Sequence, residues 1–225
     1  MNSIPSTPGW ARRSAIRLLI ALAVMIVTSP FIEDLPHGDL IEAVVLTLVM
    51  VSAVHAVSDQ RRMLLMALVL VTPVLVGRWG NQFRPDLLPP VVYLLPEVLF
   101  FGFVIAQVVR FLVRAPRVDA NVICAAISGF LMLGLLWAPL YVMVARLDPG
   151  AFTLPSNPAS VSLGGFDAFY FSFTTLSTVG YGDFVPASRA AKMLAVTEAI
   201  SGLFYMAVLI SRLVSVYAPS HRDKQ

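Results

Sequence analysis

Long apolar runs, separated by short polar or Pro- and Gly-bearing stretches, organise this chain. A helix that crosses the hydrocarbon core of a bilayer needs about 20 apolar residues, and each run here contains few or no charges. The pattern therefore predicts six membrane-spanning helices. The predicted spans cover residues 14–31, 43–58, 63–77, 91–112, 121–145 and 192–217.

The first three runs are short for a span, with only 15 or 16 uncharged positions each. Arginines at their ends (Arg17, Arg62 and Arg78) reach toward the interface and extend each helix by about a turn. A basic start followed by an apolar run is also typical of a signal peptide, but the Thr28-Ser29-Pro30 stretch makes a poor cleavage site. We therefore expect a retained first span. We expect residues 78–90 and 146–165 to be loops, because both stretches are rich in turn-forming residues.

Composition agrees with a membrane protein. Hydrophobic residues make up 58% of the 225 residues and charged residues only 13%, against about 25% charged in a typical soluble domain. Cys124 has no second cysteine with which to form an intrachain disulfide. No metal-binding or phosphate-binding motif is present, so we expect neither an enzyme nor a nucleic-acid-binding protein.

The basic residues predict an orientation. With the N-terminus inside, eleven of the 16 Lys and Arg residues lie on the cytoplasmic side, which agrees with the positive-inside rule. We expect an inner-membrane protein with both termini in the cytoplasm. The cytoplasmic set comprises Arg12, Arg13, Arg17, Arg61, Arg62, Arg110, Arg114, Arg117, Arg212, Arg222 and Lys224.

One short stretch carries the candidate chemistry, Thr178-Val179-Gly180-Tyr181-Gly182-Asp183. Carbonyl groups of successive residues face the same way only if the backbone alternates between right- and left-handed conformations. Gly180 and Gly182 adopt a positive φ without steric cost, and Val179 and Tyr181 are expected to point their side chains back into the protein. Rings of such carbonyls replace the hydration shell of a potassium ion.

This stretch and the apolar segments around it resemble the pore loop of the potassium channel family. The resemblance implies an all-α membrane protein whose outer helix, re-entrant pore helix, selectivity filter and inner helix lie in residues 118–218. We call Thr178–Asp183 the filter loop. Its K⁺ ions would bind at the carbonyls of Thr178, Val179, Gly180 and Tyr181 and at the Thr178 hydroxyl, and no other cofactor is expected. A single loop per chain implies a homotetramer.

The resemblance also suggests roles outside the filter loop. Residues 166–177 would form the pore helix, with Asp167 capping its first turn. Thr174 stands where many bacterial pores have a glutamate, so Asp183 would lack that carboxyl partner. Glu198 is expected to support the filter through Ser172, Thr174 or Thr197, or else to set the charge of the cavity. Gly202 is either a gating hinge or a site of close helix packing.

Residues 1–117 would form a four-helix bundle, and residues 219–225 a short cytoplasmic tail. The fourth span has no Lys or Arg between Leu87 and Val109, so steep voltage gating is not expected. The bundle could instead be a scaffold or a site for lipid or a small ligand. Two other functions stay open: a potassium transporter subunit, and a non-conducting sensor or scaffold.

Overall fold

The computed structural model describes residues 9–32, 35–57, 61–83, 89–115, 118–154, 157–160 and 163–217. Helices dominate the described residues, and three short strands join them. The elements are α1 Gly9–Ile32, α2 Gly38–Val57, α3 Arg61–Phe83, α4 Val91–Arg114, α5 Ala120–Leu147, β1 Phe152–Leu154, β2 Asn157–Ser160, α6 Gly165–Leu176, β3 Val185–Pro186 and α7 Arg189–Tyr217.

All helices except α6 are long and apolar enough to cross a membrane, with candidate spans of 18 to 28 residues. The prediction of six spans in an all-α membrane protein is therefore confirmed. Helix α6 has only 12 residues, too few to cross a bilayer about 30 Å thick at 1.5 Å per residue.

Helices α1 to α4 pack together as a bundle, which we call the N-terminal bundle, and α1 and α4 also lie along α5 of the same chain. The tightest part of this contact lies between α4 and α5, where Phe100, Phe101, Val104 and Met132 are completely buried. The link from α4 to α5 is short, and the bundle is held directly against the helix that follows it.

The third span is longer than the sequence predicted. Helix α3 continues through Arg78 to Phe83, so the expectation of a loop from residue 78 was wrong. The Arg78 guanidinium lies 3.1 Å from both carboxylate oxygens of Glu97 on α4 and 3.4 Å from Glu42 on α2. Because these carboxylates neutralise the arginine, its charge does not end the helix.

The described part of the stretch 146–165 contains two strands that the sequence analysis did not predict. Strand β1 pairs with β2 on one side and with β3 on the other, both antiparallel. Phe152 of β1 is completely buried, with ring centroids 5.4 Å from Phe171 and 5.9 Å from Tyr141. The prediction of an exposed loop was therefore wrong at Phe152, whose side chain is inserted between aromatic rings, whereas residues 146–150 are exposed as predicted.

Helix α7 starts at Arg189, three residues before the predicted start at residue 192. The Ser188 hydroxyl accepts a hydrogen bond of 3.2 Å from the Ala191 amide, which is the usual geometry of a helix N-cap. The prediction left Arg189 outside the helix because its charge precedes the apolar run. The N-cap at Ser188 instead places Arg189 in the first turn of the helix.

Breaking the Arg78–Glu97 pair should destabilise the N-terminal bundle. Glu97 is only 2% exposed, so Arg78→Ala leaves a buried carboxylate without its main partner, a change that costs about 3–5 kcal/mol. The double variant Arg78→Met/Glu97→Leu should be markedly more stable than Arg78→Ala. Unfolding in detergent, followed by circular dichroism, measures both.

Arg62→Ala is the matched control, because Arg62 is an exposed arginine of the same helix. It should leave the unfolding transition within about 0.5 kcal/mol of the parent. Equal destabilisation by Arg78→Ala and Arg62→Ala would contradict the role of the ion pair.

Candidate functional site: the filter loop and its supports

The backbone of the filter loop alternates in handedness. Thr178, Gly180 and Gly182 have φ values of 58°, 52° and 77°, whereas Val179 and Tyr181 are not among the described residues with positive φ. The two glycines occupy the left-handed region, as the sequence reasoning required. Thr178 was missed, because a β-branched residue rarely adopts a positive φ. Left-handed and right-handed residues in strict succession turn successive carbonyls toward one side.

The C-terminal end of α6 holds this backbone in place. The Thr174 carbonyl accepts hydrogen bonds from the amides of Val179 (2.9 Å) and Gly180 (3.2 Å), and the Thr175 carbonyl accepts one of 2.9 Å from Thr178. The Thr174 hydroxyl instead donates to the Phe171 carbonyl at 3.0 Å. Thr174 therefore contacts the filter loop through its main chain and not through its side chain.

Two side chains of the loop are not covered by the single chain. Val179 is 52% exposed and Tyr181 is 74% exposed, so neither is buried against its own chain. The expectation that they point back into the protein and brace the loop stays a prediction. Large apolar and aromatic side chains in this position leave a surface that the single chain does not cover.

Asp183 is held by two hydrogen bonds at the end of the loop. Its carboxylate accepts from the Phe184 amide at 3.0 Å and from the Tyr170 hydroxyl of α6, a bond that raises the pKa of Tyr170 to about 12. Tyr170, one turn before Thr174, thus provides the hydrogen-bond partner of Asp183 that the Thr174 side chain does not provide.

Asp167 lies in the first turn of α6 but does not cap it. The N-cap residue is Gly164, with no side-chain cap bond, so the predicted capping role was wrong. Burial raises the pKa of the Asp167 carboxyl, and the nearby charge of Asp183 raises it further. Two carboxylates therefore repel each other beside the filter loop.

Glu198 of α7 links three helices, because its side chain is hydrogen-bonded to residues of α5 and α6. The Ser172 hydroxyl of α6 donates to one carboxylate oxygen at 2.6 Å, and the Tyr141 hydroxyl of α5 donates to the other. The side chain is completely buried. Of the three partners expected from the sequence, Ser172 is the one in contact, since Thr174 and Thr197 donate to carbonyls of their own helices. Tyr141 was not anticipated.

The aromatic residues of α6 face two directions. Phe171 forms edge-to-face contacts with Tyr141 (4.8 Å between centroids) and with Phe152. Phe169 lies 4.5 Å from Phe173, whose ring covers Gly134 of α5 so closely that a Cβ there would lie 2.6 Å from it. Helix α6 thus contacts α5 at two places, through Phe171 at Tyr141 and through Phe173 at Gly134.

Gly202 is buried in the middle of α7, against the end of α6. A Cβ at this position would lie 2.5 Å from the Leu176 carbonyl oxygen and 2.9 Å from Leu176 Cδ1. The absence of a side chain is thus required for α7 to approach the residue that ends α6. Helix α7 runs from Arg189 to Tyr217 without a break at this glycine.

The described residues contain no group of three or more His, Cys, Asp or Glu side chains that could hold a metal ion. Carbonyl oxygens of Thr178, Val179, Gly180 and Tyr181 are the ligands that the sequence analysis assigns to K⁺, and that assignment stays a prediction. It does not depend on a side-chain cluster.

Replacing Asp167 should change how stability depends on pH. Because the pKa of Asp167 is raised above its ordinary value of 3.8, the folded chain binds this proton more tightly than the unfolded chain, and stability rises as the pH falls through that pKa. Asp167→Asn mimics the protonated form. Its melting temperature should exceed the parent's at pH 8, and the difference should vanish once Asp167 is protonated.

Asp148→Asn is the control, since Asp148 is an exposed carboxylate outside α6. The measurement is thermal unfolding in detergent across a pH series. A pH-independent gain for Asp167→Asn, or the same profile for Asp148→Asn, would contradict the proximity of Asp167 and Asp183.

Comparison with known proteins connects this geometry to a family. Residues 129–218 match a family model described as "Ion channel". Two-pore potassium channel 4 of Arabidopsis thaliana is 47% identical over 49 residues, which are 22% of this chain and 17% of the relative. Voltage-gated potassium channel Kch of Escherichia coli strain K12 is 43% identical over 63 residues, 28% of this chain and 14% of the relative. Voltage-gated potassium channel regulatory subunit KCNG4 of Mus musculus is 33% identical over 106 residues, 44% of this chain and 19% of the relative.

The matched segments thus cover at most 19% of the length of these three relatives. No solved structure shows significant similarity to the chain. The family model nevertheless begins within α5 and extends beyond α7, so that it includes α6, the filter loop and the supports described above. Over these residues, the chain is similar to ion channels, and the similar proteins named above are potassium channels or a regulatory subunit of one.

Proposed function

We propose that this protein is a potassium-selective channel that conducts K⁺ passively across the membrane. The observation that carries the proposal is the alternating backbone of Thr178 to Gly182, in a loop that keeps Tyr181 and the final Asp183. Four carbonyls and the Thr178 hydroxyl provide successive layers of oxygen ligands. Such layers replace water around K⁺ at little cost to the ion.

We further propose a homotetramer with the filter loop on the four-fold axis, because one loop cannot surround an ion. Exposure of Val179 and Tyr181 supports this assembly, since neighbouring chains would cover them. Helix α7 also presents a continuous apolar face to its surroundings. Its exposed large side chains are Met193, Val196, Ile200, Leu203, Phe204, Met206, Val208, Ile210 and Val214.

Residues 118–218 would form the pore domain and residues 1–117 the bundle beside it. We propose the inner membrane as the location, with both termini in the cytoplasm and the filter loop at the outer face. Arg110 and Arg114 support this orientation through the positive-inside rule. Between Val91 and Val109, α4 contains no Lys or Arg, and Arg78 is held by two carboxylates. The pore is therefore not steeply voltage-gated.

For Glu198 we propose a positioning role. Its hydrogen bonds to Ser172 and Tyr141 fix the rotation of α6 against α5 and α7. The carbonyls at the end of α6 hold the filter loop, and they carry the partial negative charge of the helix dipole. A fixed rotation keeps that charge directed at the ion pathway.

Replacing Gly180 should abolish potassium flux. Alanine at a φ of +52° costs about 1–2 kcal/mol in each chain, and the carbonyl layer formed by this residue would turn away. We expect Gly180→Ala to lower K⁺ flux into liposomes at least tenfold, measured against Na⁺ flux in the same preparation. Gly150→Ala is the control, because a Cβ at Gly150 makes only ordinary contact, 3.5 Å from Asp148 Oδ1.

Native mass spectrometry of each variant shows whether the assembly contains four chains of 24.5 kDa. Equal Na⁺ and K⁺ flux in the parent would contradict selectivity. A number of chains other than four would contradict the proposed axis. Slow uptake that requires an energy source would favour a transporter subunit, and a closed assembly with no flux would favour a scaffold.

Gly202 allows a test that separates packing from hinge motion. If close packing is its role, the Cβ of Gly202→Ala pushes against the Leu176 carbonyl, and the variant loses about 1–3 kcal/mol of stability. If a hinge is its role, the variant keeps its stability and opens less often. We expect the first result, measured by unfolding in detergent together with single-channel recording.

Gly102→Ala is the matched control for this variant. It also adds a Cβ within a helix, but the nearest atom is Leu136 Cδ1 at 3.6 Å, an ordinary contact. The control should keep or slightly increase stability, because alanine favours helix by about 1 kcal/mol over glycine. Unchanged stability of Gly202→Ala with reduced opening would overturn the packing role.

A further inference from the structure

A cavity of about 280 Å³ opens at one end of the N-terminal bundle, and the proposed conduction pathway makes no use of it. It lies where the start of α1, the end of α2, the start of α3, the end of α4 and the start of α5 meet. Five helices thus enclose one space at the level of the basic helix ends.

The rim of this cavity is positively charged. Arg110 and Arg114 lie one turn apart on α4, and both line the cavity and are exposed. Among the described residues that line this cavity, none is an aspartate or a glutamate. Gln107, also on α4, adds an amide to the lining. The described lining therefore carries two cationic side chains and no anionic one.

The wall below the rim is apolar. Leu18 of α1, Val57 of α2, Met63 of α3 and Phe111 of α4 line it. A space with guanidinium groups at one end and hydrocarbon side chains along its depth matches a molecule with an anionic head and an apolar tail. Basic pockets between membrane helices bind anionic lipid headgroups on this physical ground.

We propose that this cavity binds one anionic phospholipid, with its phosphate between Arg110 and Arg114 and one acyl chain along Leu18 and Phe111. Placing the lipid in the cytoplasmic leaflet rests on the orientation given above. Binding itself does not, because the cavity is the same in either orientation. A free phosphate shares the headgroup chemistry but would make no use of the apolar wall.

The site lies next to a contact between the bundle and the inner helix. The carbonyls of Leu112 and Ala115, at the end of α4, accept hydrogen bonds from the Arg212 guanidinium of α7. Ala115 directly follows Arg114. A lipid that holds the end of α4 therefore also steadies the acceptors on which Arg212 of α7 depends, so that lipid occupancy should affect the inner helix.

The test is native mass spectrometry of the full-length chain in detergent, titrated with phosphatidylglycerol or with phosphatidylcholine of the same acyl chains. Arg110→Gln/Arg114→Gln should weaken phosphatidylglycerol binding about thirtyfold, since each basic residue contributes about 1 kcal/mol, which is about fivefold. The control Arg61→Gln/Arg62→Gln removes the same charge from exposed arginines outside the cavity and should change binding less than twofold.

A second variant tests the apolar wall without changing charge. Ala56 is half-buried and lines the cavity, so Ala56→Phe fills it and should reduce phosphatidylglycerol binding at least fivefold. Glycerol phosphate and inorganic phosphate should not displace the lipid at equal concentration.

Three results would overturn the proposal. Equal losses in the two double arginine variants would mean general surface attraction. Equal binding of phosphatidylcholine would remove the role of the headgroup charge. Displacement of the lipid by free phosphate, with normal binding by Ala56→Phe, would mean a phosphate site and not a lipid site. The circular dichroism spectrum of each variant verifies that it is folded.

Discussion

The buried carboxylate of Glu198 is the interaction on which the pore half of the structure depends. A carboxylate without water is stable only when its oxygens are hydrogen-bonded, and here Ser172 and Tyr141 occupy one oxygen each. These partners belong to α6 and α5, so satisfying one side chain fixes three helices. Main-chain hydrogen bonds connect the filter loop to the end of α6. The position of the loop therefore depends on how α6 is held against α5 and α7.

A second buried acid, Glu97 in the N-terminal bundle, is stabilised by a different kind of partner. Glu97 is paired with a fully charged partner, Arg78, whereas Glu198 is bound by hydroxyl groups. Ion pairing locks α3 to α4 with little angular freedom because the guanidinium contacts both oxygens. The bundle thereby neutralises the Arg78 charge internally, and α4 has no Lys or Arg between Val91 and Val109.

The sequence alone predicted the positive φ of Gly180 and Gly182 but missed that of Thr178, because the conformational freedom of glycine is a local property. A positive φ dictates glycine at 180 and 182, and the order of residue types is visible without a structure. The supports could not be predicted in the same way. Glu198 and Tyr141 are 57 residues apart, and only the packing of α5 against α7 brings them together. Arg78 was taken as the end of a span because its neutralising partner lies on another helix.

Contacts along helix α7, besides those of Glu198, limit where this helix can move. Gly202 presses against the end of α6 with no room for a side chain, and Arg212 donates to carbonyls at the end of α4. Bending at Gly202 would pull the Leu176 carbonyl away and disturb the adjacent filter loop. Releasing Arg212 leaves that loop untouched. Motion of the end of α7 that carries Arg212 therefore requires less rearrangement than motion at Gly202.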